Sequence, residues 1–278
     1  MIPRRIWTLW LQGLDAAPTV PRSCVASWYR HNPNWEIVVL DAESLPRWVD
    51  ASLIAEHLTP QQVSDLVRLA LLEKHGGVWV DATCFCTRPL DDWLPPLLGS
   101  GFFAFARPGP DRLLASWFMA SDAHSYVALM MLRKLSRYLL RHAPASNRLA
   151  ARVVGRVTRR LDRNPYLPVL WFAFPLPQVG LKPYFAIHYM FARLVLTSRR
   201  FRRVWKRTPQ VSADGPHSLH AGFDRPPSRE LLDDIRRRDT PVFKLNWRLD
   251  PEGLQPGSAL NLLLATGASS RCLPPPAL

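Results

Sequence analysis

Gly76-Gly77-Val78-Trp79-Val80-Asp81-Ala82-Thr83 sets two glycines, a short apolar strand and a carboxylate one after another. Glycine lacks the Cβ that forbids positive φ, so the pair lets the backbone turn sharply and lets Gly77 approach a ligand closely. Val78, Trp79 and Val80 read as a short buried strand. Asp81 emerges at its end, where α/β sheets place their ligands. The helix before this strand is punctuated at both ends. Thr59 is a good N-cap, Pro60 suits the first helical position, Gln62 completes a capping box and Gly76 closes the helix. Val63, Leu66, Val67, Ala70 and Lys74 recur on one side at about 3.6-residue spacing, and Asp65, Arg68, Leu69 and Leu72 on another. Asp65 and Arg68 are surface neighbours on such a helix. They either pair with each other or reach the cleft at Asp81.

Outward from this stretch the pattern alternates. Arg4–Leu11 reads as a strand, Val20–His31 as a helix stopped by Asn32-Pro33, and Trp35–Leu40 as a second strand. Phe102–Ala106 and Trp117–Ala120 follow as strands around a Pro-Gly-Pro turn at 108–110, and Asp122 caps a helix over 123–142 carrying Leu129, Leu132, Leu135 and Leu139. Alternating strands and helices argue for an α/β sheet. The 278 residues, 47% hydrophobic and 21% charged, suffice for one large folded domain with an appendage. The expected division is an α/β core over 1–130, a basic, aromatic and mostly helical insertion over 131–210, a return to the core over 211–260 and a flexible tail over 261–278.

Charge is distributed unevenly. Residues 1–130 hold 10 basic and 13 acidic side chains, residues 131–210 hold 18 basic ones against Asp162 alone, and 211–278 hold 8 of each. Arg148, Arg152, Arg156, Arg159 and Arg163 recur at helical spacing beside the apolar and aromatic piece 166–180. Such a segment is either a solvated helix face or an interfacial device for anionic headgroups. No nucleic-acid motif accompanies it, so no nucleic acid is expected. Cys24, Cys84, Cys86 and Cys272 have no disulfide-framework spacing, which points to reduced thiols and a cytoplasmic setting. The apolar run after Arg4-Arg5 is too short for a secretory signal, and no stretch reaches the roughly 18–20 apolar residues of a membrane span.

Several blocks together resemble a known family. Ile2-Pro3-Arg4-Arg5-Ile6-Trp7-Thr8-Leu9-Trp10 is similar to the N-terminal strand of glycosyltransferases related to the yeast initiating mannosyltransferase (glycosyltransferase family 32-like). It is closer still to the bacterial capsular polysaccharide synthesis proteins. Ser27-Trp28 with Asn32-Pro33-Asn34-Trp35-Glu36, the run from Ser64 to Thr83, Ser116–Met119 and Val242–Leu245 resemble further blocks. The likeness is dense over 2–120 and patchy beyond.

The resemblance implies a GT-A-like fold, a nucleotide-sugar donor bound by the 1–130 core, and a divalent cation, Mn²⁺ or Mg²⁺. It makes Asp81 the catalytic carboxylate and the metal or ribose contact, with Thr83 beside it as metal ligand. Trp10 stacks on the nucleobase, Thr8 and Gly77 line the donor site, Asp65 binds ribose and Arg68 binds diphosphate. One departure matters. The wider family has Asp-X-Asp after the strand, whereas this chain has Asp81-Ala82-Thr83. His217 or Asp214 then becomes a candidate to supply the missing ligand or to contact the diphosphate, with His217 counted among the donor-binding residues. The implied function is transfer of a sugar to a growing capsular or other cell-surface polysaccharide, or to a lipid-linked acceptor, in the cytoplasm at the inner face of the plasma membrane. A catalytically silent binding subunit of a polysaccharide assembly complex is the alternative.

Overall fold

The computed structural model describes residues 2–141, 164–172 and 182–266. Strand β1 (Arg5–Leu9), helix α1 (Thr19–His31) and strand β2 (Glu36–Leu40) open it. β1 and β2 pair in parallel from Arg5↔Glu36 to Leu9↔Leu40. A parallel pair requires a crossover, and α1 supplies it. Its apolar side, with Val20, Cys24, Val25 and Trp28, is buried. The indole of Trp28 donates to the Cys84 carbonyl at 2.8 Å, and the Asn32 side chain accepts the Leu90 amide at 2.8 Å. Two residues of the second sequence block therefore hold backbone in place.

Helix α2 (Pro60–His75) forms as its sequence dictates. Thr59 accepts the Gln62 amide, and the Gln62 side chain accepts the Thr59 amide, closing the capping box. Both sequence-defined faces are mostly buried, with Lys74 exposed: Leu66, Val67, Leu69 and Leu72 are inaccessible, as is Leu71 between them. The helix stops at Gly76, whose φ is 66°. A Cβ there would lie 2.6 Å from the Ala123 backbone nitrogen. Gly76→Ala combines left-handed strain with a backbone clash, and is expected to lower stability by about 2–3 kcal/mol in urea denaturation. A loss below about 0.5 kcal/mol would mean that this turn relaxes freely.

Strand β3 (Gly77–Val80) is buried along its length. Strand β4 (Cys84–Cys86), the short helix α3 (Leu90–Trp93), β5 (Phe102–Gly109), β6 (Arg112–Ser121) and α4 (Tyr126–Arg141) follow. After them come α5 (Ala186–Thr197), α6 (Arg199–Arg207), α7 (Asp214–His217), α8 (Arg229–Arg237), β7 (Val242–Lys244) and α9 (Ala259–Ala265). Five strands make a sheet of order β2-β1-β3-β6-β5, and β4 pairs with β7 in a second, two-stranded sheet. With β1/β2 parallel and β5/β6 antiparallel, the larger sheet is mixed. This is the expected α/β class.

Some boundaries differ from expectation. Pro108 and Gly109 continue β5, so the hairpin turns at Pro110-Asp111, tightened by pairing of Gly109 with Arg112. Helix α4 is capped by Ser125, whose hydroxyl accepts the Ala128 amide, and not by Asp122. Its buried side carries Val127, Ala128, Met131, Leu135, Tyr138 and Leu139, while Leu129 is exposed. Residues from 259 to 265, spanning the expected start of the tail, are helical, with Leu260 and Leu263 fully buried. The arginine stripe 148–163, the residues 173–181 and Cys272 lie outside the described residues.

Contacts divide the chain into two units. One comprises the residues up to Pro3 with Glu43–Trp79 and Leu97–Ala213; the other comprises Arg4–Ala42, Val80–Pro96 and the chain from Asp214. In the first, Phe105 stacks on Trp117 and Phe191 packs on Phe102, Phe201 and Trp205. In the second, Val20, Phe85, Leu219, Ile235, Phe243, Leu245 and Leu260 share one core. No helix among the described residues is long and apolar enough to cross a membrane.

Candidate functional site

Asp81 leaves β3 in the second unit, and strand β7 fixes what it meets. β4 and β7 pair antiparallel with Cys84 opposite Lys244, and the Leu245 amide donates to the Thr83 carbonyl at 2.8 Å. Successive side chains of a strand alternate between faces. Phe243 and Leu245 are buried in the core of this unit, so Lys244 turns the other way. There its ammonium donates to Asp81 Oδ2 at 3.2 Å and to Thr83 Oγ1. Both charged side chains keep contact with solvent, Lys244 at 19% and Asp81 at 27%.

Burial acts to lower the Lys244 pKa, but the charge of Asp81, the Cys84 and Cys24 sulfurs and the Asp81 hydrogen bond together outweigh it. The net shift is upward from 10.5. A lysine raised in the folded state contributes stability in full at neutral pH, and that contribution is lost only as pH climbs through the raised value. The group is therefore a fixed cation at neutral pH.

A second contact reaches the same strand from α7 and the turn after it. His220 Nε2 donates to the Lys244 carbonyl at 2.8 Å, and the His217 ring stacks on His220 with centroids 4.6 Å apart. Burial first, and then the Lys244 ammonium, hold the His220 pKa below 6.5; the carbonyl hydrogen bond offsets this in part. Trp10, just beyond β1, meets the half-exposed Trp247 edge to face at 6.3 Å, and the Arg248 guanidinium lies 4.4 Å over Trp247. Asp81, Thr83, Trp10 and His217 thus share one unit with Lys244, His220 and Trp247. The last three were not assigned a role from sequence. A lone lysine between the apolar residues of Val242-Phe243-Lys244-Leu245 was the available signal.

Other expected site residues sit differently. Asp65 and Arg68 form a buried ion pair at 3.2 Å within the first unit. The same guanidinium donates to the Ser116 carbonyl at 2.5 Å, the Ser64 carbonyl at 3.2 Å and the Ser64 hydroxyl at 3.0 Å, and lies 5.2 Å over Trp79. Thr8 is buried at the centre of β1, its hydroxyl without a hydrogen-bond partner among the described residues. Gly77 opens β3 with φ of 94°. Cys24, Cys84 and Cys86 are buried, and none forms a disulfide among the described residues. Burial pushes the Cys86 thiol up to about 12 and the Cys24 thiol well above its ordinary value, so neither is an activated nucleophile.

The divalent cation that the resemblance implies does not fit this cluster. A hard dication shared with substrate phosphates seeks about six oxygen ligands, one or two of them protein carboxylates free to face it. Asp81 and Thr83 supply one carboxylate and one hydroxyl, and both already accept from an ammonium. Among the described residues no group of three or more His, Cys, Asp and Glu is placed to hold a metal ion.

Fold and cluster together define a mixed α/β protein with a carboxylate–ammonium pair at the exit of a buried strand. The chain belongs to the capsular polysaccharide synthesis protein family, whose model matches residues 1–148 and 170–262. It is 27% identical over 147 residues to the O-glycosyltransferase braB of Annulohypoxylon truncatum, covering 45% of this chain and 35% of that one. It is 36% identical over 103 residues to the glycosyltransferase afumC of Aspergillus fumigatus, covering 32% and 26%. The chain thus spans about a quarter to a third of the length of these curated relatives. Among solved structures it is similar to the PaToxG glycosyltransferase, with a TM-score of 0.38 and 14% identity over 74% of this chain and 78% of that one.

Proposed function

We propose that this chain is a glycosyltransferase of GT-A-like architecture. It moves a sugar from a nucleotide-sugar donor to a capsular or other cell-surface polysaccharide, or to a lipid-linked acceptor. Membership of the capsular polysaccharide synthesis family and relatives named as glycosyltransferases support this reading. The observation that carries it is the Asp81–Thr83–Lys244 cluster, a carboxylate, a hydroxyl and a fixed cation in partial contact with solvent. In the transfer the bond between the sugar's anomeric carbon and the β-phosphate oxygen breaks, and its electron pair leaves on that oxygen. The acceptor hydroxyl forms the new bond to the anomeric carbon and releases its proton. Negative charge grows on the diphosphate, where a preorganised cation stabilises the transition state more than the ground state. Trp10 and Trp247 offer indole faces and edges suited to a nucleobase.

A charged surface supports peripheral attachment to an anionic membrane. Helix α6 buries Phe201 and Trp205 and leaves Arg199, Arg200, Arg203, Lys206 and Arg207 exposed. Attraction there acts through charge and falls as salt screens it.

The test is turnover of a panel of nucleotide-sugars by the purified chain, read as nucleoside diphosphate released, with Asp81→Asn alongside. Turnover of one donor by the wild type alone is the expected result. Equal background in both proteins makes the chain a binding subunit instead.

A further inference from the structure

We infer that Lys244 does the work of a metal: its ammonium, held by Asp81 and Thr83, is a built-in anchor for the donor's diphosphate, and the protein binds that diphosphate without a divalent cation. The inference rests on the glycosyltransferase reading for the identity of the ligand and on geometry for the rest.

The two oxygens that follow β3, where the wider family's Asp-X-Asp offers a cation its carboxylates, both accept hydrogen bonds from Lys244 Nζ. An ammonium carries three N–H donors. Two are engaged by Asp81 Oδ2 and Thr83 Oγ1, and no third partner of Lys244 is present among the described residues. The remaining N–H belongs to a side chain that keeps 19% of its surface in contact with solvent, next to Asp81 at 27%, and it is the one assigned here to an entering anion. Position 83 fits the same arrangement. A second carboxylate there would compete with an incoming phosphate, whereas the threonine hydroxyl orients the ammonium without adding negative charge.

The backbone makes this a fixed device. Lys244 is registered opposite Cys84, its carbonyl is bonded by His220, and its neighbours Phe243 and Leu245 are locked in the core. An ammonium so constrained offers charge at a set point with little reorganisation when the ligand arrives. Phosphate recognition by a lysine point charge is well suited to a diphosphate oxygen.

The test titrates inorganic pyrophosphate and the adenosine, cytidine, guanosine and uridine diphosphates into the full chain, once in EDTA and once in Mn²⁺. Wild type, Lys244→Met and Lys244→Arg are compared, with circular dichroism to establish folding. Pyrophosphate and at least one nucleoside diphosphate should bind wild type equally well in both buffers. Lys244→Met should weaken that binding by about tenfold or more, the effect of one charged hydrogen bond, and Lys244→Arg should retain most of it. Binding that vanishes in EDTA and returns with Mn²⁺ overturns the inference and leaves the glycosyltransferase reading standing. So does Lys244→Met binding as wild type does. EDTA-resistant, Lys244-dependent binding with no nucleotide-sugar turned over keeps the anchor and removes the glycosyltransferase. No binding in either buffer removes both. If Lys244→Met fails to fold, the EDTA comparison on wild type and Lys244→Arg decides alone.

Discussion

Asp81→Asn is expected to cut release of nucleoside diphosphate from the donor by about 100-fold or more, with little change in Tm. Asparagine keeps the size of the side chain and an oxygen that can accept from Lys244, so the local packing survives. It removes the negative charge that stands 3.2 Å from the ammonium and that raises its pKa. Lys244 is then held by a neutral hydrogen bond in place of a charged one, and the leaving diphosphate meets a cation that is less firmly fixed. The measurement is kcat for the best donor, with Tm as the structural control. Unchanged kcat with unchanged Tm would remove Asp81 from the chemistry.

Arg68→Met is expected to lower stability by about 3–5 kcal/mol, the cost of stranding the partner of a buried ion pair. Here the stranded group is Asp65, and the Ser116 carbonyl loses its 2.5 Å donor as well. The double variant Asp65→Leu with Arg68→Met should recover much of that loss, because neither charge is then left alone. Urea denaturation of the three proteins checks this. If Arg68→Met keeps its stability and loses only donor affinity, Arg68 is the diphosphate contact that the resemblance implies.

Local signals in the sequence led to local structure. The Thr59–Gln62 capping box, Pro60 and the stop at Gly76 all depend on neighbours within a turn and formed as written, and the strand expected over Val78–Val80 begins one residue earlier, at Gly77. Where one residue type had competitors nearby, boundaries moved. Ser125 took the capping role from Asp122, since its hydroxyl stands three residues before the Ala128 amide. The Pro-Gly-Pro run looked like the hairpin turn, yet proline and glycine were carried on an irregular β5 whose register shifts between Ala104, Ala106 and Gly109.

The site was half legible for the same reason. Asp81 and Thr83 stand beside the glycines and the strand that announce them. Their partner Lys244 lies 163 residues beyond Asp81 and becomes visible only when β7 pairs with β4. Trp247, three residues further, came with it. The pairing of Asp65 with Arg68 was readable as an i,i+3 contact, but its burial was not, because α2 is covered on more faces than its own periodicity records.

The most direct measurement is a crystal structure of the chain with the nucleoside diphosphate that binds it best, grown in EDTA. A β-phosphate oxygen within hydrogen-bond distance of Lys244 Nζ, with Asp81 and Thr83 still on the same ammonium, is the predicted result. A diphosphate bound away from Lys244 would contradict the account.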